Sequence, residues 1–204
     1  MLKLSKQKII SIKIWWIRQV YKYFMWFPKW WYTLTMKLTK INGSRVLSYD
    51  KTADIVDSFN GGMLYKSDPL NGKLDYLTHP SRLAKNVADG KAFGDCDDHA
   101  IWWCTTMLKA ELAERAWFCF YTMVKKNSSE MSSHAIALVK YEDGTFAWTD
   151  YRLPSGLMQD WQKWPYRSAD AYNAYPVAAV MIEVTDLEDD DTPIFGEITV
   201  LDVV

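Results

Sequence analysis

From Cys96 to Leu112 the apolar side chains return every three or four residues, at Ala100, Trp103/Cys104, Met107/Leu108 and Leu112, which is the spacing of one buried stripe on an α-helix. A helix with a single apolar stripe must lay it on another layer, and the segments that follow change period to supply one. Ala116–Val124 is rich in β-formers and short enough to be a central strand. His134–Tyr141 reads as a strand buried on both faces, Thr145–Asp150 as the next strand, Val177–Val184 as another buried strand and Pro193–Leu201 as an edge strand. Together they predict an α+β domain in which the helix packs on an antiparallel sheet.

The head of that helix carries the chemistry. Gly94-Asp95 reads as a turn and N-cap, which sets Cys96 in the first turn, where unpaired N–H groups and the positive end of the helix dipole favour a thiolate. A helix-borne thiol needs a base and a group that orients the base. His134 opens one strand-like run and Asp150 ends the next, sixteen residues later. An odd loop, Tyr141–Asp143 or Lys140–Gly144, would set the two opposite each other on one face, whereas a two-residue Asp143-Gly144 turn would put them on opposite faces. The chemistry therefore demands the longer loop. A zinc site built on Cys96, His99 and Cys104 is excluded, because two helical turns separate the thiols by about 12 Å.

At these residues the chain resembles a known group. Gly94-Asp95-Cys96-Asp97-Asp98-His99-Ala100, a strand-opening His134 and a strand-ending Asp150, in that order, are similar to the transglutaminase-like branch of the papain-like cysteine enzymes. Within it they most resemble the bacterial transglutaminase-like cysteine proteinases. Phe59-Asn60, Tyr65, Asp68, Gly72, Asp75-Tyr76 and Pro80 follow that group's upstream landmarks, so the resemblance covers roughly Asp54 to Leu153. Departures are His99, where an aromatic is usual, and Asp97, where Glu is usual.

The resemblance implies a papain-like/transglutaminase-like core and attack on a peptide or amide bond through an acyl-thioester. Cys96 would be the nucleophile, His134 the base and later acid, and Asp150 the group that orients the imidazole. A protein or peptide is the implied substrate, and no cofactor is required. The resemblance also suggests calcium at Asp95 and Asp97, where the group holds carboxylates beside the nucleophile; the residues serve equally well as capping acids of the helix. A different amine acceptor would turn the same chemistry into transamidation. The non-enzymatic alternative is a membrane- or assembly-associated protein that keeps the fold.

With 204 residues, 49% apolar and 15% aromatic, the chain can bury one good core. Its net charge of −1 conceals an asymmetry: residues 1–49 hold ten Lys/Arg and no acid, and the end from Asp186 onward holds seven acids and no base. Residues 1–49 are therefore read as a basic, Trp-rich N-terminal extension and residues 50–204 as the transglutaminase-like catalytic domain. Three cysteines imply no disulfide framework and suit a cytoplasmic protein, peripheral to a membrane at most; no cleavable signal and no span of about 20 uncharged residues is recognised.

The extension reads as a basic, aromatic helix that Pro28 ends. Residues 1–40 suit an anionic membrane surface or a protein partner, with residues 1–27 a separable docking element; nucleic acid is disfavoured for lack of a binding motif. Further on, Ser48 or Asp50 caps a short helix to Phe59, Pro69–Gly72 is a loop, and Thr78 or His79 caps a helix that starts at Pro80 and runs to about Ala88. Asn127–Ser133 has loop composition and would face substrate. Pro154–Gly156 and Trp161–Tyr166 read as irregular chain, and Glu188–Asp191 as a solvated turn.

Overall fold

The computed structural model describes residues 6–41, 45–46, 50–55, 65–66, 76–91, 94–150 and 157–203. The helices are α1 (Lys6–Phe24), α2 (Trp26–Thr39), α3 (Pro80–Ala88), α4 (Cys96–Lys109) and α5 (Trp164–Ala171), with a one-turn helix at 52–55. The strands are β1 (Arg115–Lys125), β2 (Met131–Lys140), β3 (Phe146–Thr149), β4 (Ala174–Leu187) and β5 (Pro193–Leu201). They form one antiparallel sheet in the order β3-β2-β1-β4-β5, which makes the chain α+β, with β1 central and β5 at an edge as expected.

Side chains alternate between the two faces of each strand, and each face has its own core. On the first face Phe118, Ala135, Ala137, Val139, Val180 and Ile182 share a cluster with Ala100, Cys104 and Met107 of α4. Alanines at 135 and 137 let the helix approach β2 closely. Residues Asp97 to Met107 are all buried, so α4 is covered on every side rather than along one stripe. The cover comes from Met36 of α2, Leu77 in the segment before α3 and Leu83 of α3, which join the same cluster. On the second face Tyr121, Ile136, Leu138 and Met181 surround Trp164 of α5, which is fully buried and edge-on to Tyr121 at 5.6 Å.

Several local expectations are corrected. Pro28 does not end the N-terminal helix: the chain breaks at Met25, and Pro28 falls in the first turn of α2, where its missing N–H is not needed. The division at 49/50 follows charge; on its N-terminal side Met25, Tyr32 and Met36 lie in the first core, and Tyr32 stacks on Phe120 at 5.5 Å. Trp161–Tyr166 is not irregular but enters α5, with the Asp160 carboxylate accepting from the Gln162 N–H and Pro165 in the first turn. Of the acidic turn, Asp191 is buried and receives Lys109 Nζ at 2.9 Å and the Val46 N–H at 2.9 Å, while Asp190 binds Lys40. The acidic end is thus a counterpart of the basic extension.

As expected, His79 caps α3, its Nδ1 accepting from the Ser81 N–H at 3.2 Å, and Gly90 ends the segment in a left-handed conformation (φ 66°). The rest of the 48–59 helix, the 69–72 loop, 154–156 and the landmarks Phe59-Asn60, Asp68, Gly72 and Asp75 lie outside the described residues.

Candidate active site

Connection lengths bring the candidate residues to one end of the sheet. Glu114, just before β1, donates its N–H to Lys140 O at 2.8 Å, so the last turn of α4 lies beside the β2–β3 turn. Fourteen residues of helix then carry Cys96 to the other end, where β2 begins and β3 finishes. Cys96 is half-buried, whereas Cys104 and Cys119 are buried, and burial pushes both of those thiols far up.

His134 does not open β2; it is the fourth residue, paired with Tyr121, because Met131 and the polar Ser132 and Ser133 continue the ladder against Thr122–Val124. Backbone pairing at a hairpin end needs no apolar side chain. The β2–β3 loop is odd, as the chemistry required, but it is Glu142–Gly144: Tyr141 donates to Thr145 O (2.9 Å), Gly144 to Tyr141 O (3.0 Å), and Gly144 takes φ 82°. The hairpin is thus centred on Asp143 rather than Glu142, with Ala137 opposite Thr149. One more step of that register sets Asp150 level with Ile136, two residues from His134 on the same face. Their side chains close the diagonal, with His134 Nε2 3.2 Å from Asp150 Oδ2.

Sequence reasoning missed the third member of this group. Tyr172, just past α5, donates its hydroxyl to Asp150 Oδ2 and lies 3.2 Å from His134 Nε2, its ring edge-on to the imidazole at 5.1 Å. The carboxylate as acceptor sets Nε2 as the protonated nitrogen of a neutral ring and leaves Nδ1 as the basic one. The other neighbour is Tyr121, whose ring meets His134 edge-on at 5.9 Å and whose hydroxyl is 2.7 Å from Ser168 Oγ. Burial raises the Tyr121 pKa, the Ser168 hydrogen bond opposes it, and the charges of Asp150 and Cys96 add to the rise. His99, one turn after Cys96, is pushed down to about 3 by burial, with Asp150 acting to raise it and His134 to lower it. The first turn of α4 and the His134–Asp150 pair therefore act on the same neighbours.

The acids around Cys96 are arranged differently from the capping reading. Asp95 holds the N-cap position in extended conformation, but its side chain makes no capping bond. It hydrogen-bonds Asp97, whose carboxyl is raised well above the usual range by burial first, then by that bond, then by the charge of Asp98. Asp98 Oδ1 accepts the Thr78 N–H at 2.7 Å and so ties the approach to α3 onto α4. This explains Gly94, where a Cβ would lie 2.6 Å from Asp98 Cβ and Cγ.

Ligand atoms of Asp95, Cys96 and Asp97 lie within 4.8 Å of one another. Calcium takes about six to eight oxygens, so two carboxylates fill only part of its shell, and a cation there would displace the proton that Asp97 favours.

The fold and this cluster define an α+β protein in which the helix-borne thiol, packed with the first core, and a His–Asp–Tyr hydrogen-bonded group, on the Tyr121 side of the sheet, lie at the same end of the sheet. Comparison of the chain with protein-family models, with curated proteins and with solved structures yields no match.

Proposed function

We propose that the chain is a papain-like, transglutaminase-like cysteine hydrolase that cleaves a peptide or amide bond through a thioester on Cys96. The observation that carries this reading is the His134–Asp150–Tyr172 group, at the end of the sheet where α4 begins with the half-buried thiol. Asp150 accepts the Nε2–H of His134 and so presents Nδ1 as the base. Nδ1 takes the Cys96 proton, sulfur attacks the substrate carbonyl, and the Cys96 backbone N–H at the helix start helps to stabilise the oxyanion. The same proton passes from Nδ1 to the leaving amine as the C–N bond breaks, which leaves the thioester. A water, deprotonated by Nδ1, then attacks it, and the proton returns to sulfur as the acid departs. No step passes through a metal.

The test is mass spectrometry of the intact chain after exposure to a thiol-directed acyl electrophile, followed by product analysis with a peptide library. Expected are a single label at Cys96, its loss in Cys96→Ala, a large rate drop in His134→Ala, and cleaved peptides. Reaction at Cys96 no faster than that of a free thiol, unaltered by His134→Ala, would remove the hydrolase reading. Amine adducts in place of cleaved acids would turn it into transamidation.

A further inference from the structure

α1 and α2 cover the first face of the sheet on one side only. In α1 the inward positions are Ile14, Ile17 and Tyr21, the last hydrogen-bonded to Thr122 Oγ1 at 3.1 Å. Arg18 fixes the helix by donating to Val177 O at 2.8 Å and Val203 O at 2.6 Å, and Lys29 fixes α2 through Gly196 O at 2.7 Å. Both helices are therefore held in place, and their opposite sides look away from the sheet together.

Those outward sides are aromatic. At 100° per residue Ile12, Trp16 and Tyr23 fall in one line along α1, and Trp26 and Trp30 in one line along α2. Trp15, Trp16, Trp26 and Trp30 are each more than half exposed, Trp26 at 62%. The indoles alone contribute an apolar surface on the order of 400 Å², before Phe24, Phe27 and Tyr23 are added, which matches or exceeds the largest patch of an ordinary monomer.

Charge identifies the occupant. Residues 1–49 contain ten bases and no acid. Lys37 and Lys40 of the extension are turned to the protein's own Glu188 and Asp190. Lys13 and Lys22, on either side of the Ile12–Trp16–Tyr23 line, make no ion pair among the described residues. Tryptophan and tyrosine flanked by lysine match the boundary between lipid headgroups and acyl chains. Among the described residues no helix is long and apolar enough to cross a membrane. We propose that the outward faces of α1 and α2 dock the protein on an anionic lipid surface, with the tryptophans at headgroup depth and the lysines against lipid phosphate.

The experiment is co-sedimentation of the full chain with vesicles of phosphatidylcholine alone or mixed with phosphatidylglycerol, together with quenching of tryptophan emission by brominated acyl chains. Binding to the mixed vesicles, weakened by salt and accompanied by quenching, is expected. Trp16→Ser with Trp26→Ser should abolish it. Lys13→Gln with Lys22→Gln should lower partitioning by on the order of thirty-fold for the anionic vesicles alone. These side chains are exposed, so the melting temperature should be retained, and the wild-type salt dependence stands independently of any variant. A monodisperse chain that ignores both vesicle types would overturn the proposal. So would a concentration-dependent dimer dissolved by the Trp16→Ser/Trp26→Ser pair, or a protein partner that needs the same tryptophans while lipid does not bind.

Discussion

Tyr172→Phe removes one oxygen and keeps the ring that packs on His134 at 5.1 Å. The oxygen lost is the one that donates to Asp150 Oδ2 and lies 3.2 Å from His134 Nε2. A hydrogen bond to a charged partner contributes about 1.5–3 kcal/mol, and about 1.4 kcal/mol of transition-state stabilisation is a factor of ten in rate. If all of it were felt in the transition state, acylation of Cys96 would slow by roughly 12- to 160-fold. The lower end is expected, because Asp150 keeps His134 as a partner and, with one donor fewer, is a stronger acceptor for the Nε2–H. The assay is the rate of Cys96 alkylation by chloroacetamide from about pH 5 to about pH 9, a range that spans free imidazole and free thiol titration. Asp150→Asn should give the larger effect in the same direction of rate, since it removes the charge as well. If both variants fold and both leave the rate and its pH profile untouched, the His134–Asp150–Tyr172 group is not coupled to Cys96 and the reasoning fails.

Gly94→Ala drives a Cβ into Asp98 and should break the Thr78 N–H bond, lowering stability by about 2 kcal/mol or more, read from the urea midpoint. Cys104→Ala and Cys119→Ala should each keep the Cys96 labelling rate, because burial holds both thiols protonated, and should lose only about 1 kcal/mol of packing. Burial acts to raise the Asp190 carboxyl, but Lys40 and the Thr192 hydroxyl and N–H outweigh it and hold the group well below the usual range. Its contribution to stability is therefore present above about pH 4 and lost as pH falls toward the depressed value, and Lys40→Met should flatten that part of the acid unfolding curve. Calcium uptake at Asp95 and Asp97 should be weak and release a proton, giving calorimetric heats that depend on the buffer; no heat, and no change of melting temperature in chelator, would remove the ion from consideration.

The sheet and its central helix were legible because the pattern changes: apolar positions every three or four residues to Leu112, then short runs of β-formers from Ala116. Side-chain parity likewise held, since sixteen residues from His134 to Asp150 need an odd loop whatever its centre. What depended on distant partners was not legible. Met131–Ser133 reads as loop by composition and becomes strand because β1 offers a ladder. Asp190 and Asp191 look solvated until Lys40, Lys109 and the Val46 N–H arrive from segments far along the chain. The start of α5 did carry a local signal, Asp160 followed by Pro165, masked by the aromatic residues between them. Tyr172 carried none: its role exists only because α5 returns the chain to the end of the sheet, 38 residues after His134.

The acidic run around the thiol is the feature most at odds with a nucleophile, because nearby negative charge disfavours a thiolate. The structure reduces that conflict group by group. Asp98 has its charge directed at the Thr78 N–H, and Asp97, buried and hydrogen-bonded to Asp95, favours its protonated form. His99, at the position where the resembled group carries an aromatic, is held neutral by burial and so behaves as one. The same arrangement that quiets these three residues leaves Asp150 as the charge facing the imidazole of His134. The proposed mechanism asks of this arrangement that Asp150 orient the imidazole while the helix start favours the thiolate of Cys96.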